Sequence, residues 1–398
     1  MQFLLVRGFL ALAVAQVPDS LTLDQALARA RLARPRMVAA AAVVERATGA
    51  ARLGALIPNP SAQFEIDDLA PTYKLTATQP LAWLPRRGAD LAAGRATLAR
   101  ARADSAQTLA DVGRDVRRSF FGALAAERQL LLASEQRTLA DSLARLAARR
   151  AAGGDISDLE RDQIGLEASR TRLAAEQARQ TAEVARAEFA RAVAWESASP
   201  PIAAGALDDG LTGRSTPPAG EEIPALDALP FVRGAVADST AAAERLRAAR
   251  IAQIPIPGIV VGREWGSGSS QNLILGLAMP IPIFTRGGEA VQQARGAATE
   301  LSALAAESRL TARAQLEVSR ARTENSARRA IFARDSLLPD ARRVRAGAVR
   351  LYEEGRTSVL PVLDALRAER DVARATIAEL LAFQEARADL YAALGRWP

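Results

Sequence analysis

The chain contains no cysteine and no histidine. Without cysteine, disulfides, thiol catalysis and a cysteine-linked lipid anchor are excluded. Without histidine, the commonest general base and the commonest transition-metal ligand are missing. Aromatic residues are also scarce, at 4% of 398 residues, although 49% of the chain is hydrophobic. Alanine supplies much of that apolar count, and a globular core of this size would carry more large side chains. Alanine-, arginine- and glutamate-rich sequence with few aromatics suits long helices packed closely side by side. No phosphate-binding glycine loop and no recognisable frame of paired carboxylates occurs, which argues against an enzyme; no cofactor and no metal site are expected.

Lysine is nearly absent too. Lys74 is the only one, and arginine carries the remaining positive charge. The formal net charge is +7 and the sequence pI about 10.7. A basic balance can point to nucleic acid. Here the arginines alternate with acids along helical stretches, as in Arg161-Asp162 and Glu369-Arg370-Asp371. Such faces are solvated and salt-bridged, and basic residues without interleaved aromatics do not suit single-stranded nucleic acid. No nucleic-acid partner is expected.

Residues 1–15 read as a short secretory signal peptide. Met1 to Arg7 is followed by an apolar run from Gly8 to Ala15, and Ala13-Val14-Ala15 offers a small-x-small cleavage site. Beyond it, no run of about 18 apolar residues could span a membrane as a helix. An exported chain of this kind is either soluble or crosses the outer membrane as strands.

What the sequence does contain is an apparent internal duplication, with copies at 16–196 and 230–398. Pro80-Leu81-Ala82-Trp83-Leu84-Pro85-Arg86 aligns with Pro280-Ile281-Pro282-Ile283-Phe284-Thr285-Arg286, and Gly154-Asp155-Ile156-Ser157 aligns with Gly355-Arg356-Thr357-Ser358. Pro35 and Pro230 stand near the start of each copy. The stretch 197–229, rich in proline, glycine and aspartate, reads as a linker or a belt of irregular structure.

Each copy reads as helix, β-hairpin, helix, break, helix. In the first, a helix is expected over 22–55, with Thr22 as N-cap and Gln25 completing a capping box. Ile57-Pro58-Asn59-Pro60 stops it. Strands are expected at 61–67 and 73–79, where Phe64 and Ile66, then Tyr73, Leu75 and Ala77, alternate with polar residues. A turn at Leu69-Ala70-Pro71 joins them. In the second copy, strands are expected at 256–265 and 271–283, joined by a turn at Gly266-Ser267-Gly268-Ser269-Ser270. Leu273, Leu275, Leu277, Met279 and Ile281 share one face, opposite Asn272, Ile274, Gly276, Ala278 and Pro280. A large apolar face opposite a small or polar one suits a strand between lipid and a lumen; a sandwich strand is the alternative, although few other strands exist to pack against it. Four strands cannot close a useful barrel, and open edges in lipid are costly. Membrane hairpins of this kind therefore require several chains in one barrel.

Long helical regions follow at 88–152 and 288–353, and helices then restart to about 194 and 394. The first stretch of roughly 65 residues would be about 95 Å long, which suits a coiled or barrel-like assembly. The breaks carry the clearest local signals. Gly153-Gly154-Asp155-Ile156-Ser157-Asp158-Leu159-Glu160 contains a second capping box, Ser157 with Glu160. Tyr352 through Pro361 does the equivalent in the second copy, with Pro361 in a first helical turn.

At this point the chain resembles the TolC-like outer-membrane efflux family, and within it the CzcC-type branch. The segments that carry the likeness are Leu21-Thr22-Leu23-Asp24-Gln25-Ala26-Leu27, Ile57-Pro58-Asn59-Pro60, Met279-Pro280-Ile281-Pro282-Ile283-Phe284, and Tyr352 through Leu366, ending Val362-Leu363-Asp364-Ala365-Leu366. The resemblance implies a mainly α fold with membrane β. A long α-helical coiled-coil barrel in the periplasm would join a β-barrel shared by three chains in the outer membrane, four strands from each. It implies the outer-membrane channel of a tripartite efflux system, a passive duct for metal ions or drugs. The duct would dock with a periplasmic adaptor and, through it, an inner-membrane pump. Gly154, Asp155, Ile156, Ser157, Gly355, Arg356, Thr357 and Ser358 become adaptor-contacting tips. Asp364 and Tyr352 become the periplasmic gate, while Leu273, Leu275, Leu277 and Met279 face lipid. Where some relatives carry a further acid, this chain has Pro361. The competing expectation is a periplasmic adaptor or structural coiled-coil protein, for which one helical hairpin per chain would suffice.

Overall fold

The computed structural model describes residues 20–54, 56–67, 72–211, 225–266 and 271–397. The expected signal peptide at 1–15 and most of both hairpin turns lie outside the described residues. In chain order the elements are β1 (Ser20–Leu21), α1 (Leu23–Ala33), α2 (Pro35–Leu53), β2 (Ser61–Asp67), β3 (Thr72–Gln79), α3 (Trp83–Ala152), α4 (Asp158–Ala192), β4 (Ile202–Ala203), α5 (Pro230–Ile251), β5 (Gly258–Gly266), β6 (Gln271–Ala278), α6 (Gly288–Phe332), α7 (Leu338–Glu353) and α8 (Val359–Ala393). A β-hairpin followed by long helix, turn and helix therefore occurs twice. The protein is mainly α with a small sheet.

Three sequence expectations need correction. The helix expected over 22–55 is two helices, because Arg34 takes an extended conformation (φ −74°, ψ 123°) before Pro35, the first residue of α2. A residue before proline is pushed away from helical geometry, whereas proline itself suits a first helical position. The strand expected to reach Ile283 ends at Ala278, since Pro280 and Pro282 have no N–H to give a ladder. Met279 therefore lies beyond the strand. The helical region expected over 288–353 is interrupted by a π-helical turn, Ala333–Leu337. Pro339, which cannot donate to the carbonyl four residues back, lies two residues beyond it. Within that turn Arg334 Nε donates to Asp335 Oδ1 at 2.6 Å, and this contact holds the Asp335 carboxyl below its ordinary range.

Two compact units share the chain. One comprises residues 1–30, 115–215 and 326–385. Its core includes Phe120, Phe121 and Phe189, with Phe120 edge-on to the other two at 5.2 and 5.6 Å. Such pairs contribute about 0.5–1.5 kcal/mol beyond their burial. Strands β1 and β4 pair in parallel, Ser20 with Ile202 and Leu21 with Ala203. The buried Gln384 amide donates to the carbonyls of Leu207 at 3.0 Å and Asp209 at 2.8 Å. These contacts fix the described part of the stretch expected as an irregular linker. The expected cap is present as well: Thr22 N–H donates to Gln25 Oε1 at 3.0 Å, and Gln25 N–H to Thr22 Oγ1 at 3.4 Å.

The other unit comprises residues 31–114, 216–325 and 386–398. Alanine does here what its abundance suggested. Ala40 and Ala47 are buried on α2, and a Cβ added to Gly94 of α3 would lie 3.1 Å from the Ala51 Cα, so the two backbones approach closely. Leu229, Val232, Ala312, Leu316 and Leu394 form a second core cluster. The same unit carries one antiparallel sheet of four strands in the order β2-β3-β5-β6.

Candidate functional site: a two-faced sheet and two helix tips

Period-two alternation fixes the faces of the sheet, because directly paired residues share a face. One lateral row is Phe64, Leu75, Arg263 and Leu273; the next is Ile66, Tyr73, Trp265 and Gln271. A third is Ala62, Ala77, Val261 and Leu275. This face is largely apolar and open: Leu273 and Leu275 are each 71% exposed and Leu277 is 73% exposed. Phe64, Tyr73 and Trp265 cluster on it, with centroids 5.9–6.3 Å apart. The opposite face carries Gln63, Thr76, Gly262 and Ile274 in one row and Glu65, Lys74, Glu264 and Asn272 in another. Lys74 Nζ lies 3.6 Å from Glu65 Oε2 there. Strands β2 and β6 are the sheet's edges.

The two helix breaks share one geometry. At the first, Asp155 N–H reaches back to the Arg150 carbonyl at 2.9 Å, with Gly154 at φ +80°. At the second, Arg356 N–H reaches the Leu351 carbonyl at 2.8 Å, with Gly355 at φ +70°. Each is a glycine-terminated helix end whose last carbonyls are satisfied by the turn, and only glycine adopts that φ without strain. Ser157 then caps α4 through the expected box, with Glu160 N–H donating to Ser157 Oγ at 3.2 Å and Ser157 N–H to Glu160 Oε2 at 3.3 Å.

Both breaks are anchored on one core. Leu143 and Ala147 of α3, Ile164 of α4, Tyr352 of α7, and Val359, Val362 and Leu363 of α8 pack together, with Ile156 against them. Arg150 donates to the Tyr352 and Glu353 carbonyls, each at 2.9 Å, and its guanidinium stands 5.0 Å over the Tyr352 ring. It thereby satisfies free carbonyls at the end of α7. Above this core, Gly154, Asp155, Ser157, Gly355, Arg356 and Ser358 are exposed. Leu159 and Leu360, the second residues of α4 and α8, are exposed as well.

The chain matches no protein-family model. It is 28% identical over 359 residues to the cobalt-zinc-cadmium resistance protein CzcC of Cupriavidus metallidurans, covering 87% of this chain and 83% of that protein. Among solved structures it is similar to CusC, known for conformational changes that accompany folding and transmembrane channel formation. The TM-score is 0.81 at 19% identity, covering 96% of this chain and 93% of CusC. It is also similar to the open state of the Neisseria gonorrhoeae outer-membrane channel MtrE, with TM-score 0.77, 17% identity, and coverage of 94% and 89%. The chain has the fold of these outer-membrane channels. Its likeness to the CzcC-type branch extends over most of its length.

The eight expected tip residues fall on the two breaks. The two expected gate residues differ in exposure. Tyr352 is 2% exposed and belongs to the core beneath the tips, where its ring packs and faces no solvent. Asp364 is exposed, its side chain 76% open, with Arg367 Nη1 at 3.8 Å. Next to it lies a contact that sequence reasoning missed. The Glu167 carboxylate, buried on α4, accepts from Arg367 Nε and Nη2 at 3.1 and 3.0 Å and from Arg370 Nη1 at 2.9 Å. The only sequence signal was an acid on the otherwise small face that Ala168 and Thr171 bury. Arg150 was missed as well, because nothing local marks an arginine as the cap of a helix two hundred residues away.

Proposed function

We propose that this chain is the outer-membrane duct of a tripartite efflux system, working as a homotrimer and catalysing no reaction. The observation that carries the reading is the open apolar face of the four-stranded sheet. Its leucines, exposed in water, would sacrifice about 25 cal/mol for every Å² of apolar surface left unburied. In hydrocarbon they are at home, and the polar face would line a lumen. The edges β2 and β6 then need partners, because unpaired N–H and C=O groups cost several kcal/mol each in lipid. Three chains of four strands each supply them, β6 of one against β2 of the next, and close a barrel.

The remaining parts follow from that assignment. Residues 16–196 and 230–398 act as two copies of one unit joined through 197–229, and so present two equivalent tips. Gly154–Ser157 and Gly355–Ser358, flanked by Leu159 and Leu360, are the surface that seats a periplasmic adaptor tied to an inner-membrane pump. Three copies of Asp364 would place negative charge around the periplasmic opening and favour cations, with Tyr352 holding the tip core beneath it. The name of the Cupriavidus relative points to divalent metal ions as cargo, carried as substrate through a passive duct.

The deciding measurement is the oligomeric mass of the protein extracted from outer-membrane fractions in mild detergent. A detergent-dependent trimer is expected; a soluble monomer needing no detergent would overturn the duct and favour an adaptor. For the tips, Gly355→Pro or Ser358→Arg should abolish efflux while the trimer persists. Full metal resistance in either variant would overturn the tip assignment.

A further inference from the structure

The apolar face of the sheet carries a single charged side chain among the described residues, the exposed Arg263 of β5. Leu75 pairs with it on one side and Leu273 on the other. The described carboxylates of these strands that could pair with it, Glu65 and Glu264, belong to the opposite face, where Lys74 already meets Glu65. Strand β5 is an inner strand of the sheet, so these neighbours come from the same chain.

Two residues further along β5, about 7 Å at the rise of a strand, Trp265 stacks with Tyr73 at 5.9 Å, and Phe64 joins both at 6.3 Å. Aromatic rings of this kind collect where hydrocarbon gives way to headgroups. Arg263 shares the row of Phe64, one row inside Tyr73 and Trp265, and an arginine there can lay its methylene stem on Leu75 and Leu273 and extend its guanidinium toward those rings. The anionic groups of a bilayer at that depth are lipid phosphates. The planar guanidinium fork matches a phosphate with two parallel hydrogen bonds.

We propose that Arg263, beside the Tyr73–Trp265 pair, binds the phosphate of a net-anionic membrane lipid on the outer wall of the sheet. The inference rests on the reading of the sheet as a barrel wall. It adds a specific lipid contact that hydrophobic matching alone would not supply.

The test uses the full chain extracted as an oligomer in mild detergent and titrated with phosphatidylglycerol or phosphatidylcholine, with bound lipid counted by native mass spectrometry. An exposed cation near a membrane surface contributes about fivefold in binding, so wild type should retain about fivefold more phosphatidylglycerol, and Arg263→Leu should lose that preference. Lys74→Gln, which removes the cation of the other face, should keep it. Arg263→Gln replaces the leucine variant if the latter fails to assemble. Preference retained in both Arg263 variants, or absent from wild type, would overturn the proposal. Displacement of bound lipid by inorganic phosphate would overturn the lipid as the occupant. Insertion into vesicles of equimolar phosphatidylcholine and phosphatidylglycerol separates the two levels: a protein that inserts but shows no lipid preference refutes only this inference, whereas one that does not insert refutes the barrel wall and this inference with it.

Discussion

Leu363 and Leu275 have the same side chain and opposite surroundings. Leu363 is 3% exposed, enclosed by Leu143, Ile164 and Val359 in the core under the tips. Leu275 is 71% exposed, with Val261 beside it on a face that no described element covers. The helical core is complete within one chain, so its leucines gain burial from folding alone. The sheet is incomplete both in its burial and in its ladder, because it leaves the edges β2 and β6 open. On the proposed reading, lipid covers the apolar side of this region and water the other.

The comparison can be broken or sharpened by substitution. Leu363→Ala should cost about 2–5 kcal/mol, the usual cost of truncating a buried leucine, read as a lower denaturation midpoint of the detergent-solubilised protein. An unchanged midpoint would mean the tip core contributes little. Leu275→Arg should leave that core intact yet block membrane assembly, because arginine facing lipid near mid-bilayer costs about 2–4 kcal/mol per chain. Normal trimer yield in outer-membrane fractions would show that the faces are reversed. Glu167→Gln strips a buried carboxylate from two arginines and should destabilise by about 1–3 kcal/mol, the cost of leaving buried polar groups poorly paired. Its midpoint should fall while barrel insertion stays normal. Ser157→Ala removes the cap of α4 and should cost about 0.5–2 kcal/mol, seen as faster amide exchange confined to the first turn of that helix; exchange unchanged there would mean the cap contributes nothing to the tip.

Much of this was legible in the chain because it depends on short-range rules. The alternation from Phe64 to Ile66 and from Leu273 to Leu277 has the period of a strand. Thr22 with Gln25 and Ser157 with Glu160 have the spacing of capping boxes, and Gly154 and Gly355 stand where helices must stop. Other features are not local. Arg34 lay inside the helix expected over 22–55 until the restriction before Pro35 prevailed. Met279 continued the leucine pattern, but Pro280 and Pro282 had already ended the ladder. The burial of Tyr352 was not legible either, because its own segment gives no sign that α3, α4 and α8 enclose it.

The elements, their order and the apolar side of each strand follow from the amino-acid order alone, since these depend on neighbours a few residues apart. Only the tertiary structure decided which apolar residues are used up. It placed Leu363 and Tyr352 inside a shared core, brought Arg367 and Arg370 onto Glu167, and set Arg263 alone among leucines on the open face. Those outcomes depend on contacts between segments some two hundred residues apart or on different strands. Neither periodicity nor composition encodes them, because burial is a property of the packed whole.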